Sequence, residues 1–138
     1  MDNETLLAAI IYCEAGNQDY CGQVAVGLVI TNRMRSSSFP NKMKEVIYAK
    51  TQFQPCRDGS LKRVLNNPAL ISETSRNAAK EVIRLYNANS YKLTLPDGKV
   101  TYLKDYYFFM TKAAYVRLGL KSKYRVLKDH VFFKTWER

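Results

Sequence analysis

LLAAIIYCEAGNQDYCGQVAVGLVITNRMR, residues 6–35, reads as an apolar helix ending in a lone carboxylate, a short polar turn, and a second apolar helix. Leu7, Ile10, Ile11 and Glu14 fall at i, i+3, i+4 and i+7, so one helical stripe carries three aliphatics and then an acid. Glu14 is therefore expected to face inward. Burial removes water from its charged form, and the negative end of the helix dipole disfavours a carboxylate further. No Lys or Arg precedes Arg33 to offset either effect. A Glu kept protonated near neutral pH at the rim of a core is what a general acid needs to protonate a departing oxygen. The alternative is a frayed helix end with Glu14 in water.

The first helix is expected from a cap at Asp2 or Asn3 to about Ala15, with Gly16 or Asn17 taking the left-handed conformation that stops it. The second should run from about Tyr20 to Arg35. Gly27 within it would permit a close crossing, expected against the first helix. Ser36 to Asn41 is a loop by composition, Lys42 to Tyr48 a short helix, and Ala49 to Asn67 a long irregular stretch. Phe53 in that stretch could plug the core or give a sugar ring a platform. A third long helix is expected over Ser72 to Asn87, with Ala78, Ala79, Val82, Leu85 and Tyr86 on its apolar face. YKLTL and VTYL around Pro96-Asp97-Gly98-Lys99 predict a hairpin. Tyr106 to Phe109 should be a strand, Thr111 to Leu120 a short helix stopped near Gly119, and Arg125 to Lys134 a last strand.

The length of 138 residues suits one domain. Lys and Arg number 22 against 12 Asp and Glu, a net charge of +10, which favours polyanionic surroundings: nucleic acid, an anionic membrane or an acidic wall polymer. No apolar run approaches the roughly 20 residues that cross a bilayer. The acidic start, Met1-Asp2-Asn3-Glu4, does not read as a secretory signal. Cys13, Cys21 and Cys56 form no CxxC pair and leave an odd one, so buried thiols are expected rather than a disulfide framework. A single histidine, His130, leaves no conventional zinc site, and no metal or cofactor is expected.

GxxxxGK[ST], GxGxxG and GxSxG are all missing from the sequence. A Cys13–His130 thiol pair is discounted because no cation near Cys13 would lower its pKa. Acid catalysis by one carboxyl survives. A hydrolysing glycosidase ordinarily needs two, and the candidates for the second are Asp19, Asp58, Asp97, Asp105 and Asp129. One acid suffices if the substrate supplies its own nucleophile.

Glu14-Ala15, Gly22-Gln23, Ala25-Val26, Asn32-Arg33, Phe39-Pro40, Val46-Ile47-Tyr48 and Gln52-Phe53 follow one another in an order and spacing that resembles the SleB/CwlJ-type cell wall hydrolases, the spore cortex-lytic family. A second set, Tyr107-Phe108-Phe109 and His130 to Lys134, resembles that family's aromatic strand and its closing segment. The resemblance implies an α+β, lysozyme-like fold, mainly helical with a small antiparallel sheet, and a single catalytic domain over residues 1–138. It implies cleavage of the peptidoglycan glycan strand between muramic acid and glucosamine, as a lytic transglycosylase with Glu14 as acid and base. A hydrolytic muramidase of the same fold and a non-catalytic wall-binding domain are the alternatives. Gln52, Phe53, Tyr107 and His130 are then expected to hold the sugar, with Asn32 and Arg33 supporting the site. Gln18 stands where the family often has a second acid. The resemblance further implies cortex or vegetative peptidoglycan as the partner, the cell wall or the spore cortex and coat as the place of action, and a monomeric chain. A nucleic-acid-binding domain lacks any helix-turn-helix, zinc or RNP-like signature.

Overall fold

A computed structural model describes residues 2–49 and 58–138. Asp2 starts the first helix, α1 (Asn3–Ala15), its side chain accepting a hydrogen bond from Thr5 N at 2.7 Å. Asp19 does the same for α2 (Tyr20–Arg35) through Gly22 N at 2.9 Å. Gly16 does not take the left-handed conformation expected of it: its φ is −61°, because its N–H continues the helical pattern to Tyr12 O at 3.0 Å. Asn17 has no positive φ either. The chain turns instead through Gln18 N, which donates to Ala15 O at 2.9 Å.

The short helix α3 (Met43–Ile47) follows the loop as expected. Part of the stretch read as irregular is helical: α4 (Ser60–Asn66) buries Leu61 and Val64, spaced i, i+3, and starts after Gly59 at φ +85°. A 3-10 turn at Pro68–Leu70 leads to α5 (Glu73–Asn87), capped by Ser72, whose side chain accepts from Ser75 N. The buried face of α5, Ser75, Ala78, Ala79, Val82 and Leu85, packs on both α1 and α2. Gly27 is the reason the helices can meet so closely. A β-carbon there would lie 2.6 Å from Val82 Cγ2 and 3.0 Å from Ile11 Cδ1, so the tighter approach is to α5, with α1 second. Burial of α2 is nearly complete from Cys21 to Arg33.

Two small antiparallel sheets complete the fold. The expected hairpin pairs β1 (Lys92–Thr94) with β2 (Val100–Tyr102), and Gly98 supplies the positive φ of its turn. The second sheet has the order β3-β5-β4, with β3 at Phe108–Thr111, β4 at Tyr124–Leu127 and β5 at His130–Phe133. The aromatic strand therefore starts two residues later than its sequence suggested. Between β3 and β4 lies α6 (Lys112–Arg117), capped by Thr111 and followed by Gly119 at φ +68°. The single strand expected over Arg125 to Lys134 is in fact a hairpin, reversed at Lys128, whose φ is +53°, and Asp129. Strand β5 is buried on both sides: Phe132 joins the helical core, while Val131 and Phe133 join Tyr115 and Leu120. That double burial explains the unbroken apolar run VFF.

Candidate active site

The stripe predicted on α1 forms. Leu7, Ile10 and Ile11 are fully buried, and Glu14, one turn on, is half-buried in the last turn of the helix. Its Oε1 is shut off from solvent and meets no hydrogen-bond donor among the described residues. Burial pushes the Glu14 carboxyl up from 4.5 to about 7, and the negative charge of Asp58 adds to the effect. A carboxyl in that state is protonated about half the time at neutrality, which suits a group that must both give and take a proton.

Glu14 opens onto a cleft of about 550 Å³. Tyr12, Cys13, Gly16 and Asn17 form the wall on its own side, and Ser60, Arg63 and Val64 of α4 form the other. Arg63 is exposed and makes no ion pair with Glu14, so the acid keeps its raised pKa beside a cation. Asp58, exposed just before α4, accepts a hydrogen bond from Ser60 N at 2.9 Å. It was one of five aspartates open from sequence. The other four have partners as well: Asp19 caps α2 and pairs with Lys128 at 2.9 Å, Asp97 accepts from Lys99 N, Asp105 accepts from the Tyr107 hydroxyl, and Asp129 accepts from Gln18.

The turn that carries Glu14 is fastened from behind. Buried Gln18 donates through Nε2 to Asp129 Oδ2 at 3.0 Å and to Asn17 Oδ1 at 3.3 Å. Its backbone oxygen accepts from Gln23 Nε2 at 3.0 Å, and Gln23 Oε1 in turn accepts from the Ser75 hydroxyl of α5. Gln18 therefore serves as a brace between α1, α2 and the β4–β5 turn. Asn32 and Arg33 act on the opposite end of α2. Asn32 Nδ2 donates to Leu103 O at 2.7 Å and Tyr106 O at 3.0 Å, and Arg33 Nε donates to Tyr107 O at 2.7 Å. The Arg33 guanidinium lies over the rings of Phe39 and Phe108, at 5.0 and 5.5 Å from their centres, and its burial lowers its pKa to about 10, so it stays charged. These bonds set the segment that leads into β3.

Of the residues expected to hold sugar, Gln52 and Phe53 lie outside the described residues. Tyr107 is half-buried, donates to Asp105 Oδ1 at 3.0 Å, and lines a recess of about 100 Å³ with Asn32, Arg35, Tyr91 and Asp105. His130 is buried edge-on to Phe109 and Phe132, at 5.5 and 6.2 Å between ring centres. Its Nδ1 has no hydrogen-bond partner among the described residues, and burial lowers its pKa against the opposing pull of Asp129. The described wall of the Glu14 cleft thus brings Glu14 together with Ser60 and Arg63, and Tyr107 and His130 stand apart from it. Among the described residues no cluster of three or more His, Cys, Asp or Glu could hold a metal.

Helices stacked around a buried α2, a small sheet at one side and a half-dry carboxyl at a cleft define a lysozyme-like α+β domain. Residues 17–133 match the cell wall hydrolase family, and the chain belongs to that family. The matched region begins three residues after Glu14. Over 129 residues, 94% of this chain, it is 30% identical to a spore cortex-lytic enzyme of Bacillus cereus, of which the match covers 43%. A spore cortex-lytic enzyme of Bacillus subtilis is 38% identical over 78 residues, covering 56% of this chain and 24% of that one. The chain thus spans less than half the length of these curated relatives. Among solved structures, the catalytic domain of the germination-specific lytic transglycosylase SleB from Bacillus anthracis superposes with a TM-score of 0.66 at 23% identity, over 97% of both chains. The catalytic domain of Bacillus cereus SleB gives 0.62 at 26% identity, covering 95% of this chain and 88% of that one.

Proposed function

We propose that this chain is a single catalytic domain that cleaves the glycan strand of peptidoglycan at the muramic acid to glucosamine bond, as a lytic transglycosylase with Glu14 as its only acid and base. The observation that carries the reading is Glu14 itself, held near pKa 7 at the mouth of an open cleft. Protonated Glu14 gives its proton to the glycosidic oxygen as the bond from that oxygen to the muramic C1 breaks. The resulting carboxylate then takes the proton of the muramic 6-hydroxyl as that oxygen bonds to C1. The products are a free glucosamine hydroxyl and a 1,6-anhydro muramic end, and Glu14 is protonated again. Family membership and the relatives' names support a wall substrate in cortex or vegetative wall; a monomer suffices, since the chemistry needs one side chain.

The test is digestion of purified sacculi and cortex by wild type and Glu14→Gln, with the muropeptides resolved by mass. Wild type should release fragments whose muramic ends are lighter by one water, and Glu14→Gln should release them at least about 100-fold more slowly. Equal release by both proteins refutes the role of Glu14.

Asp58 favours a second reading, a hydrolytic muramidase. It is the carboxylate whose charge reaches Glu14, as the second member of a carboxyl pair must. In that case the digest would contain reducing muramic ends in place of anhydro ends.

A further inference from the structure

A second groove, larger than the Glu14 cleft at about 690 Å³, lies at the far end of the β4–β5 hairpin. Lys121, Lys123, Arg125 and Lys134 line it, with the rings of Tyr106 and Tyr124. The hairpin's turn is bound to Gln18, whereas this groove sits at its open end, where Tyr124 pairs with Phe133. Four residue steps of extended strand lead from Tyr124 to Lys128, about 13 Å, and the two clefts share no lining residue.

Lys121 and Lys123 are exposed on either side of buried Ser122 in the segment leading into β4, and Arg125 follows within the strand. Lys134, on the neighbouring strand's continuation, adds a fourth charge. None of the four is in an ion pair among the described residues. Glu137, the acid at the rim, accepts instead from the Thr135 hydroxyl. Four cations against a single carboxylate give the groove a net positive charge that suits a polymer carrying one anion per repeat.

The tyrosines narrow the polymer. Lys134 Nζ sits over the Tyr106 ring at 5.2 Å, and Lys112 Nζ donates to the Tyr124 hydroxyl. The Tyr115 ring meets Tyr124 at 5.0 Å as well. One ring under an ammonium group and the other held by its hydroxyl and by Tyr115 are poor platforms for stacking bases, a major source of affinity for single-stranded nucleic acid. We infer that this groove binds a base-free phosphodiester polymer of the cell wall, a chain of polyol phosphates, and so docks the domain at a site separate from the Glu14 cleft.

The inference takes the wall as the place of action, but binding is read on soluble polymer and needs no cleavage, so it can fail or hold independently of Glu14. The full chain is titrated with poly(glycerol phosphate), with polyglutamate and with a single-stranded oligonucleotide of equal charge, over a range of salt. The triple variant Lys121→Gln, Lys123→Gln, Lys134→Gln is compared with Lys44→Gln, Lys80→Gln, Lys99→Gln, which removes three exposed lysines outside the groove. The groove variant should bind poly(glycerol phosphate) at least tenfold more weakly, and the slope of log affinity on log salt should flatten by about 2 to 3. It should still cleave glycan strands stripped of polymer. Equal weakening in both triple variants, binding of polyglutamate or oligonucleotide as tight as that of poly(glycerol phosphate), or no binding by wild type each overturns it.

Discussion

Replacing Glu14 with Gln should stabilise the folded chain at alkaline pH and not at acid pH. Burial raises the Glu14 carboxyl from 4.5 to about 7, so the folded state holds its proton over a range where the unfolded state has released it. The stability that this proton contributes is complete below about pH 4.5 and is lost as pH rises through 7. At about 1.4 kcal/mol for each tenfold step, ionised Glu14 costs the fold about 3 kcal/mol at pH 8, about 2 at pH 6 and less than about 0.3 at pH 4. Gln has nearly the same shape and no charge, so its own packing and hydrogen-bond costs do not change with pH. The difference in unfolding free energy between variant and wild type should therefore move by about 3 kcal/mol in the variant's favour from pH 4 to pH 8. For a chain of this length that corresponds to a relative gain of about 10 °C in Tm. Urea unfolding of both proteins at several pH values reads it, because every other titrating group cancels in the comparison. A difference that stays constant from pH 4 to pH 8 would show that Glu14 is solvated, and the acid-base argument would fall with it.

Asp58→Asn removes the charge that adds to burial, so the alkaline limb of the activity profile should move to lower pH. Burial, the larger cause, should keep it well above 4.5. If turnover at the optimum survives that change, Asp58 is not a second catalytic group; a loss of about 100-fold or more would favour the muramidase. Gly27→Ala places a β-carbon 2.6 Å from Val82 Cγ2, and the gain in helix propensity of about 1 kcal/mol should not offset overpacking of about 1 to 3. Thermal melts should show a lower Tm, with Gly27→Val lower still. His130 should titrate below 6.5 by NMR, since burial disfavours its cation more than Asp129 restores it. Its folded pKa being depressed, the stability it contributes is present above 6.5 and is lost as pH falls through the lower value.

The parts of the fold that rest on neighbouring residues could be read from sequence. A polar cap at Asp2, an apolar stripe repeating every three or four positions, and Pro96-Asp97-Gly98 between alternating strands each act within a few residues. Glu14 belonged to that group, because its burial follows from the positions of Leu7, Ile10 and Ile11. What stayed hidden depends on distant partners or weak local signals. Helix α4 offers only Leu61 and Val64 as buried residues in seven positions, so the far wall of the cleft, with Ser60 and Arg63, could not be placed. Lys128 takes φ +53° with no glycine to announce a reversal, and a hairpin passed for one strand. The bond from Gln18 to Asp129 spans 111 positions, and no period or motif links the two.

That last bond bears on when the site can exist. Glu14 ends the first helix of the described fold, yet the turn beneath it is latched by Asp129 of the last hairpin, and Lys128 clasps Asp19 beside it. A nascent chain that has made its helices still lacks the latch, so the loop bearing the acid settles only when the final hairpin folds back onto it. The surroundings of Glu14 are thereby complete only once the first and last elements of the fold have met.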